Sequence, residues 1–264
     1  MPARAVATRI GREQGRPTMW LRWMVAGLLG VSAWAGAQEP ATEVAVLSTL
    51  HRMHGDVPGY GLDVLAGDLE ALAPDVLCIE VRPDRLAERA PEQVKIEYPE
   101  VVYPMLEQGG YRVYPMEPAE PAYSVMVEPY RAAQEAFVAG QPEASAAFDA
   151  YVEGMYAALR AYWTSSARVN DAVTDAHMRA KHMLQDALFG TAEAEGWERW
   201  NRHFLAVVDR ALDENPGKRV VVLVGAEHAY WLRDRLRGRP GIRLLGTVES
   251  PERRPRKPQA VPGE

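Results

Sequence analysis

Asp75–Val81, DVLCIEV, is the stretch on which the fold of this chain turns. Val76, Leu77, Cys78 and Ile79 follow one another with no polar position between them. A strand with one wet face alternates apolar and polar side chains, whereas an unbroken apolar run suits a strand covered on both faces, as in a parallel sheet. The run then stops on a carboxylate, Glu80. Upstream, LDVLAGDLEALA puts Leu62, Leu65, Leu69 and Leu72 on one helical face, and Pro74-Asp75 closes it. Before that helix, Glu43–Leu47 reads as a short strand that runs toward the loop HRMHGDVPGYG. Downstream, Tyr98–Gln108 reads as a helix ended by Gly109-Gly110, and YRVYPME supplies a third strand ending at Glu117.

The same grammar returns near the other end of the chain. RVVVLVGAEH (Arg219–His228) is an apolar strand, AYWLRDRLRG a helix, and IRLLGTV the last strand. Strands alternating with helices imply βαβ units. Between the third and fourth strands, Glu128–Asn215 carries only helical patterns, in segments Tyr130–Ala139, Ala144–Tyr162, Arg168–Leu188 and Glu193–Asp213. The expected fold is therefore α/β, an open, mainly parallel sheet with flanking helices and an all-α insertion at 128–215.

Composition bounds the function. The chain has 264 residues, 47% hydrophobic and 25% charged, which suits one globular core. A net charge of -6, with basic residues spread along the chain except in the two tails, does not suggest a nucleic-acid surface, which needs a concentrated basic face. Cys78 is the only cysteine, so there is no intramolecular disulfide and no cysteine-based zinc site; within its apolar run it reads as buried and inert. At the N-terminus, five arginines (Arg4, Arg9, Arg12, Arg16 and Arg22) precede an apolar segment ending in Ala35-Gly36-Ala37. That pattern predicts a signal peptide over 1–37, cleaved after Ala37, with Met1 or Met19 as its start. The apolar run is shorter than the ~20 residues of a spanning helix, so no stable membrane span is expected after cleavage. The α/β domain is expected over 38–250, outside the cytoplasm in the periplasm or secreted, with a disordered tail at 251–264.

Parallel strands share one direction, so their C-terminal ends share one edge, and in open α/β sheets that edge binds ligands. The first strand runs to His51, the second to Glu80, the third to Glu117, and the fourth to Glu227 and His228. Two imidazoles and several carboxylates on one edge suit a divalent-metal or acid/base site. Each has a plainer alternative: Glu80 pairing with Arg82 or Arg85, His54 as a solvated loop residue, Glu117 as an exposed turn residue. His51 and His228, in equivalent positions, point to function. On the long helix Arg168–Leu188, the spacing puts Val169, Ala172, Val173, Ala176, Ala180, Met183, Leu184 and Ala187 on an apolar face. Asp171, Asp175 and His182 then fall near one another on the other side, which reads either as a solvated face or as a second polar cluster capping the site. Trp197, Trp200 and Phe204 read as core packing rather than as a ligand platform.

LSTLH (Leu47–His51), PDVLCIEVRPDR (Pro74–Arg85) and VLVGAEH (Val222–His228), in that order, resemble the TraB/Tiki family, whose wider group includes erythromycin esterase-like and ChaN-like proteins. The resemblance covers about 43–117 and 219–248. It implies a metal-dependent hydrolase acting on a peptide amide or an ester of a peptide or small molecule. The divalent transition metal (manganese, cobalt, zinc or iron) would be held by His51, Glu80 and His228, with His54 a further candidate. Glu117 or Glu227 would accept a proton and Arg168 would steady developing negative charge. Two positions depart from the family pattern: Ser48 stands where it has glycine, and Glu227 where it often has glycine. Asn170 and Arg168 match only loosely a helix that carries arginine and asparagine. The alternatives are a ChaN-like haem or iron binder without catalysis, and an inactive binding module.

Overall fold

The unbroken apolar runs become the middle of a sheet. In the computed structural model, which describes residues 41–246 except 92, five strands pair in parallel in the order β3-β2-β4-β1-β5. They are β1 (Thr42–Thr49), β2 (Val76–Ile79), β3 (Arg112–Pro115), β4 (Arg219–Gly225) and β5 (Ile242–Leu244). The segments expected to form a signal peptide and a tail lie outside the described residues. Every residue of β1, β2 and β4 is buried, as strands covered on both faces must be. The edge strands β3 and β5 are partly exposed, and proline closes β3 where a missing N–H costs the ladder nothing.

Helices α1 (Leu62–Leu72), α2 (Pro83–Glu88) and α3 (Tyr103–Glu107) fall between the first three strands, α3 continuing a π-turn at Tyr98–Val102. The insertion contains α4 (Ala122–Gly140), α5 (Pro142–Tyr162), α6 (Ser166–Val169), α7 (Ala172–Phe189) and α8 (Thr191–Asp213), and α9 (Ala226–Leu236) follows β4. The insertion's first helix begins at Ala122 rather than after Glu128, because α4 runs straight through Pro129 instead of stopping there. Among the described residues no helix is long and apolar enough to cross a membrane.

Helix α7 faces the opposite way from its sequence pattern. Val173, Met183 and Leu184 are exposed, while Thr174, Met178, Lys181, His182 and Gln185 are buried. Asp171 caps the helix by accepting from Val173 and Thr174 N–H, and Asp175 pairs with Arg233 at 2.5 Å. The reason is what α7 packs on: α8 and α9 offer it Glu193, Glu227 and Arg233, so the polar side is the complementary one.

Strand order explains where a site can form. The chain leaves β1 for β2 by crossing over β4, and leaves β4 for β5 by crossing over β1. The connections of these two adjacent strands thus diverge, which opens a crevice beyond their C-terminal ends.

Candidate functional site

Residues from both strand ends line that crevice. A cleft of about 510 Å³ is walled by Thr49 at the end of β1 and His51 beyond it, Gly225 at the end of β4, Glu227 and His228 in the first turn of α9, and Tyr156 of α5. The insertion therefore flanks the C-terminal edge of the sheet.

His51 sits at φ 52, in the left-handed region that a non-glycine residue enters at a cost on the order of 1 kcal/mol or more. This conformation turns its ring back over the strand end. Its Nδ1 donates to Oε1 of the fully buried Glu97 at 2.7 Å. Nε2 is left facing Oε1 of Glu80 at 4.0 Å. Burial opposes charge on His51, but the bond to Glu97 and the carboxylates of Glu80 and Glu97 outweigh it, so its pKa lies above 6.5.

Glu80 is held from three sides. Its Oε2 accepts from Gly225 N–H at 2.7 Å, its Oε1 lies 3.1 Å from Lys95 Nζ, and its own N–H donates to Tyr98 Oη at 2.9 Å. Burial alone would raise its pKa; Lys95, His51, His228 and the Gly225 N–H reverse this and bring it to about 2. The glycine is required by the close approach: a Cβ on Gly225 would stand 2.8 Å from His51 Nε2 and 3.3 Å from Glu80 Oε2.

His228 is anchored in the same manner as His51. Its Nδ1 lies 2.9 Å from Oδ1 of Asn201, whose Nδ2 donates to the Trp197 carbonyl, which fixes which end of the amide faces the ring. Nδ1 is therefore the protonated nitrogen and Nε2 carries the free lone pair. The ring stacks on Trp197 at 4.5 Å, and burial lowers its pKa to about 4.

The other expected site residues divide. His54 has both ring nitrogens engaged: Nδ1 donates to the Tyr60 carbonyl at 2.7 Å, and Nε2 faces the Leu50 N–H at 3.0 Å and Thr49 Oγ1 at 2.9 Å. It is thus corrected from ligand, and from solvated loop residue, to a buried staple of the loop after β1. Arg168 is corrected too: it is exposed, bonded to Tyr162 Oη at 2.7 Å and 3.6 Å from Asp171, and it does not line the cleft. Asn170, two residues on, is buried and accepts from Ser48 N–H and Arg233 at 2.8 Å each, tying down the end of β1. Ser48 meets Arg233 through its hydroxyl at 3.0 Å. Glu80 pairs with Lys95 rather than with Arg82 or Arg85, and the same Lys95 reaches Glu117 at 2.5 Å.

Glu227 lines the cleft but is heavily bonded. Tyr156 Oη donates to it, Lys181 Nζ lies at 2.9 Å, and His182 Nε2 lies 3.2 Å away, at ion-pair distance without hydrogen-bond alignment. Burial would raise its pKa, yet these donors hold it well below 4.5, so Glu227 is a poor proton acceptor.

Glu97, Lys95, Asn201 and Tyr156 were not singled out from the sequence. Asn201 had a signal: Trp197, Asn201, Phe204 and Val208 follow the spacing of an apolar helix face, and asparagine is the exception on it. Glu97, enclosed between Ile96 and Tyr98, had a weaker one.

The donor set suits a divalent transition metal. A metal-binding histidine commonly donates its second N–H to a carboxylate or carbonyl, and both His51 and His228 do so while keeping Nε2 free. Among the described residues, however, no three His, Cys, Asp or Glu side chains are already gathered at ligand distance. No protein-family model, curated protein or solved structure matches this chain.

Proposed function

We propose that this chain is a hydrolase of the TraB/Tiki type, acting on an ester or amide bond at the crevice between β1 and β4. The observation that carries the proposal is that His51 and His228, 177 positions apart in sequence, both line one cleft, each with Nδ1 anchored and Nε2 free. His51 and His228, with Glu80, would hold a divalent transition metal, which when bound lowers the pKa of a water and polarises a carbonyl. The chain's own groups prepare this. Asn201 and Glu97 fix the ring orientations, Lys95 and the Gly225 N–H keep Glu80 anionic, and burial keeps His228 neutral. Net hydrolysis adds water across the bond: the carbonyl carbon takes the hydroxyl, and the leaving alkoxide or amine takes the proton. An export signal at 1–37 would place this chemistry outside the cytoplasm; N-terminal sequencing of the mature protein checks that.

A second reading has its own support. Lys95 already lies against Glu80, where a cation would compete with it, and His51 with Glu97 behind it resembles a general base and its orienting carboxylate. Elemental analysis and ester hydrolysis of the purified protein, with and without chelator, separate the two. Loss of both metal and activity from His51→Ala and from His228→Ala, with circular dichroism unchanged, supports the metal reading. Activity that survives chelation but not His51→Ala supports the general base. Full activity in both variants would defeat either one.

A further inference from the structure

A second cavity shares a wall with the cleft. It encloses about 210 Å³ between α4 and α8, lined by Met126 and Val127 on one side, Trp197 and Trp200 on the other, and His228 at one boundary. His228 is thus common to the cavity and the cleft. Apart from His228, these residues offer apolar and aromatic surface, and Trp197 stacks directly on the His228 ring. Whole small-molecule sites measure roughly 300–1,000 Å³, so this one is the size for a single group of a larger ligand.

The cavity is bounded by the backbone approach of α4 to α8. A Cβ on Gly196 would stand 3.0 Å from Tyr130 Cβ and 3.1 Å from its Cδ2, so the glycine lets the two helices close over the space without filling it. Phe204 is fully buried beneath, while Trp200 stays partly exposed with Tyr123 edge-on against it at 5.6 Å. The aromatic spacing on α8 therefore does two things, core packing through Phe204 and a lined recess through Trp197 and Trp200.

We infer that this recess receives an aromatic or branched apolar group attached next to the scissile carbonyl, which makes Val127 and Met126 specificity-determining residues. The inference rests on the hydrolase reading and names its substrate class: esters or amides of apolar acyl groups. The recess adjoins His228 and contains no charged side chain, its polar groups being His228 and the hydroxyls of Tyr123 and Tyr130, so an ionic group entering it would lose its water with no opposite charge to compensate. An apolar group gains by the same burial.

The test compares 4-nitrophenyl phenylacetate with 4-nitrophenyl acetate in the wild type, Val127→Phe and Met126→Ala. The wild type should prefer the phenylacetate by tenfold or more in kcat/KM, an amount that burial of a few methylene equivalents supplies. Val127→Phe should remove that preference by lowering kcat/KM for the phenylacetate while metal content stays unchanged, and Met126→Ala should move it toward bulkier acyl groups. Equal kcat/KM for the two esters in the wild type, or a preference that neither variant alters, would overturn the inference. If neither ester is hydrolysed, tryptophan fluorescence titrated with benzyl alcohol decides. Saturable binding that Val127→Phe abolishes would refute the hydrolase and leave the recess as an apolar-ligand site; no binding would refute both.

Discussion

The sheet and the helical insertion, which both contribute to the cleft, are built by opposite rules. On the sheet side, β1, β2 and β4 are buried throughout and apolar in their middles, with polar residues such as Glu43, Ser48, Thr49 and Arg219 only toward their ends. The candidate site residues His51, Glu80 and His228 follow the last strand residues. On the insertion side, the polar groups are spread along the helices and face inward: Lys181, His182 and Gln185 on α7, Glu193 in the first turn of α8 and Asn201 further along it. Inner strands pair their backbone with neighbours and meet apolar layers on both faces, so polar side chains are confined to the ends. A helix satisfies its own backbone and can bury a polar side chain anywhere along its length, provided another element brings a partner. Here Glu227 meets Lys181, Gln185 meets Glu193, and His228 meets Asn201.

If that contrast is right, substitutions should separate the two regions. The largest effect belongs to the sheet. Leu223→Ala, fully buried in β4, should cost about 2–5 kcal/mol, read as a lower urea midpoint at unchanged slope. Next come the two histidine anchors, one from each region. Glu97→Ala and Asn201→Ala should each weaken zinc binding by about 10–100-fold in a calorimetric titration. A loss confined to Glu97→Ala would reduce the insertion to a cover and make the sheet side alone the binding element.

Acid separates the histidines by sign. Followed by NMR in metal-free protein, His51 should titrate above 6.5 and His228 near 4. His228 is depressed in the folded state, so between about 6.5 and 4 the unfolded chain binds more protons and its contribution to stability is lost as pH falls. His51 is raised, so its contribution is present below about 6.5 and disappears as pH rises through its folded value. Glu80, lowered to about 2, contributes above about 4.5 and loses that contribution as pH falls toward 2. The smallest effect tests the inverted helix. Met183→Ser, at a residue 66% exposed, should change stability by no more than about 0.5 kcal/mol, while Met178→Ala on the buried side costs about 2–5. Equal costs would restore the apolar face that the sequence pattern suggests.

The contrast also explains what could be read in advance. The strands, their parallel sense and the helical insertion were legible because a strand such as VLCI or RVVVLV is compatible with few other environments. The convergence of His51, Glu80 and His228 toward one edge followed from strand direction alone. His54 was misassigned because a histidine three residues from another looks like a ligand until Tyr60, Leu50 and Thr49 fold around it. The orientation of α7 was misread because periodicity weighs side chains by hydropathy, and its true partners, Glu193, Glu227 and Arg233, lie in segments up to 58 residues away. Glu97 and Asn201 escaped notice for a related reason: a residue that orients another side chain carries no motif of its own.

The pairing of β1 with β4 has a consequence for how the molecule comes into being. Glu43 lies beside Arg219 across a sequence separation of 176, and the other neighbour of β1, β5, is made later still. Among the described strands, β1 therefore has no partner until β4, which follows the whole helical insertion, has been synthesised. Contacts that distant in sequence slow folding, since the chain must close a long loop before the pairing rewards it. Meanwhile VAVL of β1 remains an unpaired, sticky segment of nascent chain, exposed to self-association or to capture by a chaperone. The strand that brings His51 to the crevice is thus the one whose placement completes the sheet.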